Sequence, residues 1–269
     1  MFRKRITNVV IIILMMSAFI YWNWINEAIE STHIMPEVER VNIHPILMGR
    51  TLNDEKIQLL SEQTGVNEKV VEKLLGNGEY QKILELQEAY FEPVLTESVK
   101  TTPLTICEYV INEDGKSAKG MQLVDIQDGD ILVTKNSRFL GWRNGHAGLV
   151  VNAEEGFILE AVMLGTNTKL CDVKGWEVYP SFLVLRLKEE YRKYYSVQKA
   201  VDYAMEYMVD IPYYLFAGIL EDKGTHCAHL VWYAYQEIGI DLDSDGGFLV
   251  TPFDIQNSSY LEVVQSYGY

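Results

Sequence analysis

An α+β fold with an antiparallel sheet is what this sequence predicts, and three observations predict it. Short runs rich in Val, Ile and Leu, bounded by turn residues, cluster between 104 and 187. Helical periodicity follows from Tyr191 onward, and a separate helical block, Asn53 to Glu92, comes before the strands. Strands grouped ahead of helices, rather than alternating with them, point to an antiparallel sheet packed on helices.

The bulk properties agree. The chain has 269 residues, 48% of them hydrophobic and 23% charged, a globular balance for one ordinary domain with appendages. Its net charge of −15 argues against nucleic acid as a partner, because no basic patch offsets it.

The N-terminal segment reads as a membrane anchor. Arg3-Lys-Arg5 precedes Ile6 to Ile25, 20 residues without a formal charge. At about 1.5 Å per residue this reaches roughly 30 Å, the hydrocarbon thickness of a bilayer. The basic cluster would stay cytoplasmic and the body would lie outside the cell membrane. A cleaved signal peptide is the rival reading, although no small-x-small site follows the apolar run cleanly. The division expected is therefore 1–31 for the basic tip and transmembrane helix, 32–100 for a connector and small helical region, and 101–269 for the main domain.

Within the helical region, Thr64-Gly-Val-Asn67 and Gly76-Asn-Gly78 break the pattern into three short helices. Leu104 to Ile111 and Met121 to Ile126 read as the arms of a hairpin around Asn112-Glu-Asp-Gly115. Asp130 to Thr134, His146 to Val151, Phe157 to Val162 and Phe182 to Leu187 add strands. Tyr191 to Val209 and Cys227 to Ile238 read as helices, with Gly239 placed for a C-cap. Tyrosines at helical spacing (Tyr191, Tyr194, Tyr195, Tyr203, Tyr207) are read as core rather than as a sugar or peptide groove.

Cys227 is the chemically informative residue. It opens a helix whose N-cap is expected at Thr225, and the positive end of the macrodipole there favours thiolate. Val231, Ala234 and Ile238 share its face, so that face should pack on the sheet. Pairing Val151 with Phe157 across the Asn152–Gly156 turn puts Gly148 opposite Glu160 and projects His146, Gly148, Ile158 and Glu160 from one face. Glu160 then lies diagonal to His146 and is able to orient it, with Gly148 leaving room. A one-residue slip would reverse this. Of the other histidines, His33 and His44 fall in the connector and His229 points away from Cys227, which leaves His226 as the competitor to His146 as base.

Asp128 to Thr134, Gly145-His-Ala-Gly-Leu-Val150, Glu160 and His226-Cys-Ala-His-Leu-Val-Trp-Tyr-Ala-Tyr235 together resemble permuted papain-like hydrolases. The nearest likeness is the YiiX-like branch of the NlpC superfamily, where the histidine strand precedes the cysteine helix. The resemblance covers roughly Asp125 to Gln256. It implies a papain-like fold, Cys227 as nucleophile, His146 as base and Glu160 as orienter. It also brings Tyr213 or Tyr214, in Ile211-Pro-Tyr-Tyr214, near the substrate. His229 departs from the acidic residue often found there. The implied activity is a cysteine hydrolase of amide bonds, acting on a peptide, peptidoglycan or lipid-linked amide. An acyltransferase using the same acyl-enzyme is the nearer alternative, and an inactive binding module the more distant one.

No cofactor or metal is expected. Asp241-Leu-Asp-Ser-Asp-Gly246 copies half a calcium loop, but Pro252 stands where the bidentate glutamate belongs. Cys227, His226 and His229 lack a usual zinc spacing. Cys107 and Cys171 are read as buried, inert thiols, with a disulfide between them as the alternative.

Overall fold

The computed structural model describes residues 11–19, 32–49, 53–218 and 223–269. Residues 11–19 are helical (α1), and the remainder of the expected transmembrane span lies outside the described residues. Among the described residues no helix is long and apolar enough to cross a membrane. That finding overturns the expected anchor, and the single-pass placement of the body falls with it.

After α2 (His44–Leu47) come α3 (Asp54–Thr64), α4 (Glu68–Gly76) and α5 (Tyr80–Phe91), the three helices predicted. Their starts are chemically marked. The Asn53 side chain accepts from Lys56 N–H and the Asn67 side chain from Val70 N–H, each satisfying a donor the helix leaves unpaired. Between α3 and α4, Gly65 takes a left-handed φ of 69°.

Two antiparallel sheets follow. The smaller has the order β1-β2-β4, from Leu95–Lys100, Thr105–Ile111 and Ser137–Phe139. The larger runs β7-β6-β5-β3-β8-β9, from Lys169–Asp172, Phe157–Glu160, His146–Asn152, Ile131–Thr134, Phe182–Leu187 and Leu261–Tyr267. The hairpin expected at Asn112 to Gly115 is half right. A lone bridge joins Ile111 to Ser117, but 121–126 is not a strand. Instead β2 pairs with β1 and β4. Met121 and Val124 are buried there as irregular chain filling the core.

Helices cover both faces of the large sheet. Leu60, Val70, Val71, Ile83 and Leu86 of α3–α5 pack with Leu132, Val150, Ile158 and Val184 on one face. Ala147, Leu149 and Val151 of β5 pack on the other with α7 (Val197–Tyr207) and α8 (Cys227–Gln236). The alternation along β5 is the period of two that a strand buried on both faces requires. Burying each such Val, Leu or Ile contributes about 1.5–3 kcal/mol before chain entropy is set against it. The helix expected over 191–209 is broken into α6 (Glu189–Arg192) and α7. Tyr191, Tyr195 and Tyr203 do pack against the core, whereas Tyr194 and Tyr207 are exposed. A short helix α9 (Pro252–Gln256) closes the chain before β9, capped reciprocally by Thr251 and Asp254.

Candidate active site

The register of β5 and β6 decides whether a carboxylate meets the histidine. Leu149 pairs with Leu159 and Val150 with Ile158, the register the sequence predicted. The expected Val151–Phe157 pair is replaced by Asn152–Phe157, because a bulge between Val150 and Asn152 absorbs one residue near the turn. The bulge lies on the turn side of these pairs, so Glu160 stays on the face of His146. The Glu160 carboxylate is 2.8 Å from His146 Nε2, and both side chains are buried. The Trp176 ring stacks on the imidazole at 5.4 Å between centroids and 15° between planes. With Nε2–H donating to Glu160, Nδ1 is left as the nitrogen able to take a proton.

Cys227 reaches that imidazole by a route helix phase alone does not give. The helix α8 packs on the face of β5 that carries Ala147, Leu149 and Val151, whereas the His146 ring lies against Trp176 with the opposite cluster. The thiol and imidazole meet at the start of β5, where the strand opens out after Gly145, and they line one narrow slot together. Gly145 has φ 72°, and a Cβ there would lie 2.6 Å from the Thr134 carbonyl oxygen, so the approach to His146 is reserved for glycine.

The electrostatics follow from that contact. Burial alone would raise the Cys227 thiol, but the neighbouring His146 imidazole, with His226 second, outweighs it and brings it down to about 5. Burial alone would lower His146, but Cys227 and Glu160 reverse that and raise it to about 10. The pair is therefore thiolate and imidazolium across the neutral range. Glu160 is held below its ordinary value because its bond to His146 overcomes burial. Cys171 is raised to about 12, by burial first and the Glu160 charge second, so it stays a thiol beside that carboxylate. All three cysteines are free, which leaves Cys107 and Cys171 as unpaired thiols, although Cys171 is only half-buried.

Other expected residues fall less uniformly. The N-cap of α8 is His226 rather than Thr225, and its ring accepts from His229 N–H at 3.3 Å. Thr225 instead hydrogen-bonds the His229 ring at 3.0 Å. Tyr213 lines the space in front of Cys227, and burial together with the nearby sulfur charge raises its hydroxyl pKa. Tyr214 packs on Phe216 instead, with ring centroids 6.4 Å apart. Among the described residues, Asp243 and Asp245 of the half calcium loop and Asp254 of α9 place carboxylate oxygens within 4.8 Å of one another. All three carboxylates are already engaged. Asp254 caps α9 through Thr251 N–H, Asp243 accepts from Gly246 N–H and Asp245 from Gly247 N–H.

Cys227 sits between two spaces of unequal size. A slot of about 20 Å³ lies towards Val162, Met163 and Leu164. A cavity of about 700 Å³ opens on the other side, walled by Phe139, Trp142, Leu215, Phe216, Leu249 and Val250. Sequence reasoning did not find this wall. Its nearest signal was the run Phe139-Leu-Gly-Trp142, three large apolar side chains around a glycine turn, of which Leu140 and Trp142 are exposed.

No protein-family model matches the chain, and neither a curated protein nor a solved structure does.

Proposed function

We propose that this chain is a cysteine hydrolase that cleaves an amide joining a long acyl chain to an amine, through an acyl-enzyme on Cys227. The observation that carries the reading is Cys227 sharing a slot with His146, which Glu160 holds at 2.8 Å, while the thiol also opens onto an apolar cavity of about 700 Å³. A polarised thiolate next to an imidazolium is the nucleophile and acid that acyl transfer needs. An apolar wall of aromatic and aliphatic side chains receives hydrocarbon better than a charged peptide, since each buried CH₂ contributes about 0.8 kcal/mol.

In the first half-reaction the sulfur attacks the carbonyl carbon while His146 hands its proton to the departing amine. In the second, water attacks the thioester with His146 as base, and the thiolate leaves. Glu160 holds the ring in orientation and offsets the imidazolium charge throughout. The likeness to permuted papain-like hydrolases supports the same assignment of roles. An amine or alcohol replacing water in the second step would give an acyltransferase.

The test is mass spectrometry of the intact chain after mixing with N-acyl amides of increasing chain length. A mass increase equal to the acyl group, lost on Cys227→Ala, is expected. No adduct and no turnover across amides, esters and peptides would refute the proposal.

A further inference from the structure

His226 has a ring nitrogen left unpaired among the described residues. The residue is 4% exposed, and its Nε2 has no hydrogen-bond partner among the described residues. A buried polar atom without a partner costs free energy, so it points to a ligand or a transient state. The other ring nitrogen explains which proton this atom carries. Nδ1 accepts from His229 N–H to cap α8, and a nitrogen that accepts is not protonated. In the neutral ring the proton therefore sits on Nε2, which makes that atom a donor. His226 and Cys227 line the same wall of the apolar cavity. Cys227 is the first residue of α8, so its own N–H has no partner within the helix.

We propose that His226 Nε2–H and the Cys227 N–H together form the oxyanion hole of the site. The inference rests on the acyl-enzyme reading above. When the sulfur bonds to the acyl carbon, the carbonyl π pair moves onto oxygen, and the two donors receive that charge. Collapse of the intermediate returns the pair to C=O, breaks the C–N bond and sends the His146 proton to the amine. His226 transfers no proton in this sequence. It is a fixed dipole, oriented in advance by the helix cap, which is the condition under which such a donor acts without reorganisation.

Two substitutions separate the cap from the donor. In His226→Asn the side-chain oxygen still caps α8, but nothing replaces Nε2–H. In His226→Gln the longer amide places an N–H near the old Nε2, while the cap is weakened. Three readouts are taken on each variant: thermal midpoint, plateau rate of iodoacetamide alkylation of Cys227, and kcat together with inhibition by a long-chain acyl aldehyde. The aldehyde forms a thiohemiacetal oxyanion, whereas alkylation forms none.

The expected result is that His226→Asn keeps its midpoint and plateau alkylation but loses roughly 10²–10³ in kcat and a comparable factor in aldehyde affinity. His226→Gln should lower the midpoint and recover much of kcat. If His226→Asn keeps kcat and aldehyde affinity within about threefold, the oxyanion role is wrong although Cys227 remains the nucleophile. Equal losses in both variants, with plateau alkylation also lost, would likewise reject it. Wild-type Cys227 that resists alkylation below pH 7 would sink the acyl-enzyme reading and the inference together.

Discussion

Glu160 reaches His146 over the backbone of Gly148. A Cβ built on Gly148 would lie 3.3 Å from Glu160 Cγ and 2.7 Å from Ile158 Cδ1. The gap between strands β5 and β6 is thus the space through which the carboxylate leans to its 2.8 Å bond. Gly148→Ala should push Ile158 and Glu160 aside, at a cost of about 1–3 kcal/mol in stability. Activity should fall by more than that stability loss accounts for, measured as kcat/KM on the folded fraction. Unchanged kcat/KM would show that Glu160 does not need this path.

Charge on Glu160, and not only its shape, is expected to matter. Glu160→Gln preserves size but removes the anion that helps raise His146 to about 10. The imidazolium then becomes less favoured, and so does the thiolate it stabilises. The acid limb of Cys227 alkylation should move upward from about 5, and kcat should drop by on the order of 10²–10⁴. A pH profile that does not move would remove Glu160 from the triad.

The same pair sets a signature in folding stability. Cys227 is depressed from 9.0 to about 5, so its contribution is present above 9.0 and is lost as pH falls through about 5. His146 is raised from 6.5 to about 10, so its contribution is present below 6.5 and is lost as pH rises through about 10. The stability difference between wild type and Cys227→Ala should therefore be largest between those limits and shrink on both sides. Denaturant midpoints at pH 4.5, 7.5 and 10.5 check the sign, to within about a pH unit. A difference that does not vary with pH would mean that no ion pair forms.

What was legible in the sequence was local or periodic. The alternation around His146 and Phe157 gave the register, and with it the Glu160 bond, because a strand's side chains have only two faces. The turn residues gave α3, α4 and α5 their breaks. What was not legible depended on distant pairing. Strand β1 (Leu95–Lys100) is exposed along its whole length and shows no alternation, and only its partner β2 makes it a strand. Strand β9 (Leu261–Tyr267) was hidden by the bulge between Val184 and Leu185 and by its polar Glu262, Gln265 and Ser266. The N-cap of α8 was misplaced by one residue because Thr225 and His226 both have cap-forming side chains, and the His229 ring draws Thr225 away. The cavity wall could not be read at all, since it joins the loop at 139–142, the segment at 215–216 and Leu249–Val250.

That wall supplies the prediction that most directly constrains the substrate. If an acyl chain lies along Phe139, Trp142 and Leu249, each added methylene leaves water for hydrocarbon until the cavity is full. At about 0.8 kcal/mol per CH₂, kcat/KM should rise roughly fourfold per carbon and then level off or fall. Leu249→Trp fills part of the same space, so it should move the plateau to shorter chains. Alkylation of Cys227 by iodoacetamide should not change in that variant, because the small reagent does not need the cavity. A series with no dependence on chain length, or a plateau unmoved by Leu249→Trp, would place the substrate's bulk elsewhere and leave the thiolate pair without its acyl pocket.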